Sequence, residues 1–75
     1  MFRVSSDLAE QRIRERGVSM EHVRLTLQSP DVNRPQSPKS IRFRARRRFG
    51  AVTCEVDYLL SGDGVAEVYS ARYVG

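Results

Sequence analysis

The sequence predicts an α+β fold in which a short N-terminal strand and two helices precede a three-stranded antiparallel meander, with the helices on one face of the sheet. Three observations lead to this prediction. Apolar residues recur every three to four positions in the first third of the chain, three prolines follow closely, and apolar and charged residues alternate from residue 41 onward. Helical spacing indicates amphipathic helices, and alternation indicates half-buried strands. A chain of 75 residues is expected to form one domain, residues 1–75, with a small core.

The first element is a short edge strand at Phe2-Arg3-Val4, followed by a helix from Asp7 to about Arg16. Serine and aspartate side chains at its start supply oxygens for an N-cap. Ala9 and Ile13, four positions apart, form one narrow apolar stripe, so only that side of the helix is expected to be buried. Gly17 is placed to end the helix in the left-handed conformation.

A second helix is predicted from Ser19 to about Gln28, because Met20, Val23 and Leu27 follow helical spacing. Ser19 provides its N-cap, and the proline at position 30 cannot continue it. Residues 29–39 contain three prolines among polar residues, and this composition predicts an irregular surface loop.

Positive charge is concentrated between Arg34 and Arg48, where seven of fifteen residues are Lys or Arg and none is acidic. The rest of the chain holds six basic and nine acidic residues, so the net charge of +4 comes from this one segment. Localised basic charge indicates a polyanion or an acidic protein as partner, and the alternative is a face that merely improves solubility.

Several classes of protein do not fit this sequence. The single cysteine, Cys54, allows neither an internal disulfide nor a cysteine-based zinc site, and its apolar neighbours indicate a buried core residue. No apolar stretch approaches the length of a membrane span, and residues 1–4 do not resemble a signal peptide, so we expect a cytoplasmic protein. His22, the one histidine, is expected on an exposed side of the second helix.

Two turn signals predict how the strands pair. Phe49-Gly50 predicts a tight hairpin with Arg48 opposite Ala51, and Gly62-Asp63 predicts a second two-residue turn. Both hairpins predict the same buried face for the middle strand. On the last strand, Tyr69 and Tyr73 would lie on that same apolar side of the sheet.

The uncovered face of the meander would then be rich in arginine. One predicted cross-strand row holds Arg44, Glu55 and Ser70, and the next holds Arg46, Thr53 and Arg72. Ordinary ion pairing explains the first row. Because the second row contains no acid, its two guanidinium groups on either side of a hydroxyl form a candidate phosphate site.

Short motifs along the chain resemble those of BrnT-type toxins, in which a Phe-led strand and a short helix precede a Gly-Val-Ser-Phe turn. The matching residues are Phe2, Ala9, Ile13, Arg14, Gly17-Val18-Ser19, Pro30-Asp31 and the ending Val68-Tyr69-Ser70-Ala71-Arg72. The pattern Ala9-x-x-Arg12-x-x-x-Arg16-Gly17-Val18 also resembles a sister family of small bacterial domains of unknown function. Leu8 stands where that family usually has His, and Met20 replaces the Phe of BrnT-type chains.

The resemblance implies a RelE-like fold and a type II toxin that is a metal-independent endoribonuclease, needs no cofactor and is held inactive by an antitoxin, which we expect to be acidic. Arg72, in the closing Ser-Ala-Arg, is the one site residue that the motif itself supplies. Strand pairing adds Arg46 and Glu55 as catalytic candidates, with Glu55 as the general base. The predicted nucleic-acid contacts are Arg42, Arg44, Arg47, Arg48, Thr53 and Ser70.

Two other functions use the same basic face. A non-enzymatic nucleic-acid-binding module would bind RNA without cutting it. A protein-interaction domain would dock an acidic partner and show no affinity for RNA.

Overall fold

The computed structural model of the protein describes all 75 residues and has the predicted α+β composition, with two helices and one five-stranded sheet. Neither helix is long and apolar enough to cross a membrane. The elements in chain order are β1 (Phe2–Val4), α1 (Asp7–Glu15), α2 (Met20–Gln28), β2 (Val32–Pro35), β3 (Arg42–Phe49), β4 (Val52–Leu60) and β5 (Ala66–Val74).

The sheet has the strand order β1-β5-β4-β3-β2, so that β4 lies at its centre. β1 pairs with β5 in parallel, and every other pair is antiparallel. α1 packs against β5, and α2 packs against β3 and β4. Ile13 and Val23 from the two helices join Val56 and Val68 in one apolar cluster, which places both helices on the same face of the sheet.

Both helix starts agree with the sequence prediction. Ser6 caps α1, with its Oγ accepting a hydrogen bond from the Ala9 amide at 3.1 Å. Ser19 caps α2 by accepting one from the His22 amide at 3.4 Å. Gly17 follows α1 with φ of +71°, the left-handed conformation that favours glycine at a helix end.

The prediction of an irregular loop over residues 29–39 is wrong in part, because Val32–Pro35 form the edge strand β2. Val32 lies opposite Arg46 and Arg34 lies opposite Arg44. Prolines are tolerated on an edge strand, where an amide faces solvent and not a neighbouring strand. Four residues with a terminal proline give no alternation signal, so the strand is specified by pairing with β3.

The first hairpin forms one residue later than predicted. Gly50 and Ala51 make the turn and Phe49 pairs with Val52, which shifts every β3–β4 pair by two residues. Gly50 has φ of +62°, so glycine occupies the turn position that requires a positive φ. Phe49 stays in the strand and does not adopt that conformation. A shift of two residues preserves the faces, so the predicted buried side of β4 is confirmed.

The second hairpin has a loop from Ser61 to Val65 instead of the predicted two-residue turn. The Asp63 carboxylate accepts a hydrogen bond from the Val65 amide at 3.1 Å, which stabilises this wider loop. A register shift beside Asp57/Tyr58 also leaves Tyr69 without a paired residue. Tyr69 therefore lies with Arg42, away from the helices, and its predicted apolar placement is wrong, whereas Val68 is fully buried in the core.

Candidate nucleic-acid interface

The face of the sheet opposite the helices, called the open face below, is dominated by arginine. Every second residue of β3 points to it, and the same cross-strand rows continue onto β2, β4 and β5. Its charged residues are Arg34 on β2, Arg42, Arg44, Arg46 and Arg48 on β3, Glu55 and Asp57 on β4, Glu67 and Arg72 on β5, and Arg3 on β1, which pairs with Glu67.

Glu55 lies between Arg46 and Arg72 in a single cross-strand row. Arg46 Nε donates to Glu55 Oε2 at 2.7 Å, and Arg72 Nη1 donates to Glu55 Oε1. Arg44 Nε approaches the same carboxylate at 3.5 Å. Only 5% of the Glu55 side chain is exposed, so three guanidinium groups enclose this carboxylate.

Asp57 occupies the next row, between Arg44 and Ser70. Arg44 Nε donates to Asp57 Oδ1 at 2.7 Å, and Arg72 Nη2 donates to Asp57 Oδ2 at 3.0 Å. Arg72 therefore joins the two buried carboxylates, and the three arginines with Glu55 and Asp57 form one ion-pair network. The hydrogen bond from Arg44 to Asp57 raises the pKa of the Arg44 guanidinium, which stays charged.

This arrangement corrects the predicted row of Arg46, Thr53 and Arg72. The two-residue shift in both hairpins places Glu55 between the arginines and moves Thr53 beside Arg48. Arg46 and Arg72 do lie on the same open face, as predicted. They are not free of acid, because each donates to Glu55.

The arginines of the network retain donors for a ligand. Arg46 uses only its Nε in the network, which leaves both terminal nitrogens unpaired, and half of its side chain is exposed. Arg72 uses both terminal nitrogens, for Glu55, Asp57 and Ser70, and is about one-third exposed. Arg46 is thus the more available phosphate donor of the two.

The remaining predicted contacts divide between the two faces. Arg42 lies over the Tyr69 ring at 5.4 Å, and Arg48 Nε donates to the carbonyl of Gly50. Ser70 Oγ accepts hydrogen bonds from Arg72 at 2.8 Å and from Arg16 at 3.2 Å.

Arg47 is separated from the other predicted contacts. It pairs with Cys54 on the helix face, where it donates to the carbonyl of Leu25 and lies 5.3 Å from the Phe49 ring centroid. The alternation of β3 requires this, because Arg47 is one residue out of phase with Arg46 and Arg48.

His22 is less exposed than predicted and belongs to an aromatic cluster beside α2. Its ring stacks on Phe49 with centroids 4.0 Å apart, and its Nδ1 lies 2.8 Å from the Tyr73 hydroxyl. The Ser19 amide donates to the same hydroxyl at 3.1 Å. These contacts attach the start of α2 to the first hairpin and the last strand, a structural role on the side of the sheet opposite the open face.

Cys54 is fully buried, as predicted, and burial raises the pKa of its thiol. Nowhere in the chain do three or more His, Cys, Asp or Glu side chains form a group that could hold a metal ion.

Three residues of the open face, Arg34, Gln36 and Tyr69, are not identified by the sequence pattern. Arg34, within the predicted loop, lies on β2 directly opposite Arg44. Gln36 Nε2 donates to the Tyr69 hydroxyl at 2.7 Å, a contact between residues 33 positions apart that crosses the face above β3 and β4. No local pattern identifies these contacts, since they depend on β2 pairing and on the register shift in β5.

Comparison of the chain with protein-family models, with curated proteins and with solved structures gives no match in any of the three.

Proposed function

We propose that this protein binds single-stranded RNA through its open face and acts as a type II toxin of the RelE-like kind, a metal-independent endoribonuclease. The observation that carries the proposal is the charge of that face. Six arginines of β2, β3 and β5 point to it, and the two carboxylates in its centre are buried beneath them. A ligand approaching this surface therefore meets guanidinium groups first.

The spacing of the arginines favours an extended polyanion. Four of them occupy every second position of β3, about 6.7 Å apart along the strand. Such a track of positive charge suits the backbone of an extended single strand, as in other proteins that bind single strands without sequence preference. The expected binding is electrostatic, tolerant of sequence and strongly dependent on salt.

The proposed reaction is attack of a ribose 2′-oxygen on the adjacent phosphorus. The new P–O bond forms as the bond to the 5′-oxygen breaks, the 2′-hydroxyl gives its proton to water and the leaving 5′-oxygen takes one from water. The products are a 2′,3′-cyclic phosphate and a free 5′-hydroxyl. Arg46 and Arg72 would stabilise the charge that develops on the phosphoryl oxygens, and loss of one such donor typically costs about 10²–10³ in rate.

For Glu55 we propose a positioning role in place of general base. Its carboxylate is enclosed by Arg44, Arg46 and Arg72, and a ribose hydroxyl would have to displace one of them to reach it. By accepting from both Arg46 and Arg72, the carboxylate holds the two guanidinium groups at a fixed separation.

An acidic antitoxin is the protein partner that fits this proposal, because acidic side chains would compete for the arginines that contact RNA. Charge complementarity of this kind would speed association and inactivate the toxin by covering its RNA-binding face.

The test is incubation of the purified protein with single-stranded RNA in the presence of a metal chelator, followed by analysis of the fragment ends. We expect fragments with 2′,3′-cyclic phosphate ends from the wild type. Arg46→Ala should cut at least tenfold more slowly. Arg12→Ala should cut normally, because Arg12 is an exposed residue of α1 on the other side of the sheet.

Other outcomes separate the alternatives. Intact RNA with salt-sensitive binding would replace the ribonuclease with a non-enzymatic RNA-binding module. Neither binding nor cleavage, together with co-purification of an acidic protein, would favour a protein-interaction domain. Circular dichroism of each variant excludes loss of folding as the cause.

A further inference from the structure

A shallow groove runs along the open face between β2 and β3. It encloses about 510 Å³ at the outer side of the ion-pair network. Its lining consists of three arginines, one amide and two apolar side chains, namely Arg34, Arg44, Arg46, Gln36, Val32 and Pro35.

No carboxylate lines this groove; on the β2 side Asp31, just before the strand, accepts a hydrogen bond from the Arg48 amide at 2.8 Å. Arg34 lies directly opposite Arg44, with Cβ atoms about 5 Å apart in such a pair, and like charges in this position destabilise a sheet. Arg44 is neutralised from β4, where its Nε and Nη2 donate to Asp57. Arg34 is exposed and forms neither a hydrogen bond nor an ion pair through its side chain.

Arg46 contributes a second set of free donors to the same groove. Its Nε is held by Glu55 at 2.7 Å, so the guanidinium is fixed while both terminal nitrogens remain available. Arg46 and Arg34 are diagonal neighbours across β2 and β3, about 7–8 Å apart. A phosphate between them would receive donors from two sides, in the geometry that guanidinium groups favour.

The groove also differs from the centre of the open face. At the centre, Arg72 uses its terminal nitrogens for Glu55, Asp57 and Ser70. In the groove, Arg44 and Arg46 contact the carboxylates of Asp57 and Glu55 only on the side towards β4. Val32 adds an exposed apolar side chain beside the charges. The strongest anion site of the face is therefore displaced from Arg72 towards the edge strand.

We propose that this groove holds one phosphodiester of the bound RNA, with Arg34 and Arg46 donating to its non-bridging oxygens and Val32 contacting the adjacent ribose. This inference rests on the proposed RNA binding and assigns a phosphate contact to Arg34, which no motif indicated. It makes β2 a part of the binding site as well as the edge of the sheet.

The test is a titration of a fluorescent single-stranded oligouridylate with the intact protein at several salt concentrations. Arg34→Ala should weaken binding roughly tenfold, because it removes a charge-assisted contact. It should also reduce the salt slope by about 0.7, the contribution of one phosphate on a single strand. Thermal unfolding should not fall, and can rise slightly, since the Arg34 side chain has no partner within the protein and its loss removes a like-charge contact with Arg44.

Arg12→Ala is the matched control, because it removes the same charge from an exposed position on α1. Normal binding by this variant together with weak binding by Arg34→Ala supports the groove. Equal binding by the two variants would overturn the groove while leaving RNA binding by the face intact. No binding by the wild type even at low salt would contradict both the proposed function and the phosphate site in the groove.

Discussion

On the helix face of β4, Cys54 and Val56 are fully buried beneath apolar side chains, whereas on the open face Glu55 and Asp57 are 4% and 3% exposed beneath arginines. Burial is nearly equal on the two faces, and its physical origin is opposite. Burial of apolar side chains on the helix face is favourable in itself, because it removes apolar surface from water. Carboxylates on the open face are tolerated only because guanidinium groups satisfy them.

The difference separates stability from function. Substitutions on the helix face remove contacts that no ligand can replace. Substitutions within the ion-pair network of the open face change both the free energy of unfolding and the number of arginines available to an anion. Arg34, Arg42 and the terminal nitrogens of Arg46 lie outside the network, so they can contact a ligand without weakening the fold.

The largest expected effect is on the helix face. Ile13→Ala should lower the free energy of unfolding by about 4 kcal/mol, because it leaves a cavity at a fully buried position in a small core. Urea denaturation measures the change, and Ile13→Val should cost only about 1 kcal/mol. A cost for the alanine variant as small as that for valine would show that α1 contributes little to the core.

Arg72→Ala should be the most destabilising substitution on the open face, by about 3 kcal/mol, because two buried carboxylates lose a shared partner. Thermal and urea unfolding report the loss. Arg72→Lys should fall between alanine and wild type, since a single ammonium lacks the planar fork that reaches both acids. If alanine and wild type unfold together, the network does not stabilise the protein.

Glu55→Gln should give opposite changes in stability and binding. Loss of the charge-assisted hydrogen bonds should cost about 2 kcal/mol in the free energy of unfolding. Arg46 and Arg72 then lose their neutralising partner, so affinity for single-stranded RNA should increase and its salt dependence should become steeper. Unchanged affinity in a folded variant would argue that these two arginines do not contact RNA.

A smaller effect should come from the pKa of Cys54, which burial raises. The folded state keeps this thiol protonated, while the unfolded state loses the proton near the ordinary thiol pKa of about 8.5. This contribution to stability is therefore complete below that pH and is lost as the pH rises above it. Comparing the wild type with Cys54→Ala between about pH 7 and about pH 10 isolates the effect, and identical pH slopes would contradict it.

The helices and the two faces of the sheet were predictable because their signals are local. Ser19 starts α2 through one side-chain hydrogen bond, and Gly17 ends α1 through its own positive φ. The faces of β3 and β4 follow from alternation, which a two-residue change of register leaves intact.

The candidate site was predictable only in part, because its geometry depends on contacts between distant residues. Whether Glu55 or Thr53 lies beside Arg46 is decided by which residue of the first turn adopts a positive φ. The position of Tyr69 depends on a register shift in β5, and that of Arg34 on an edge strand with no alternation of its own.

The most direct test of the open face as an RNA-binding surface is the salt dependence of binding to single-stranded RNA. We expect the logarithm of the association constant to fall linearly with the logarithm of salt concentration, with a slope of about −0.7 for each phosphate contacted. Arg34→Ala should flatten that slope and Arg12→Ala should leave it unchanged. Absence of binding at low salt, or a slope near zero, would contradict the account.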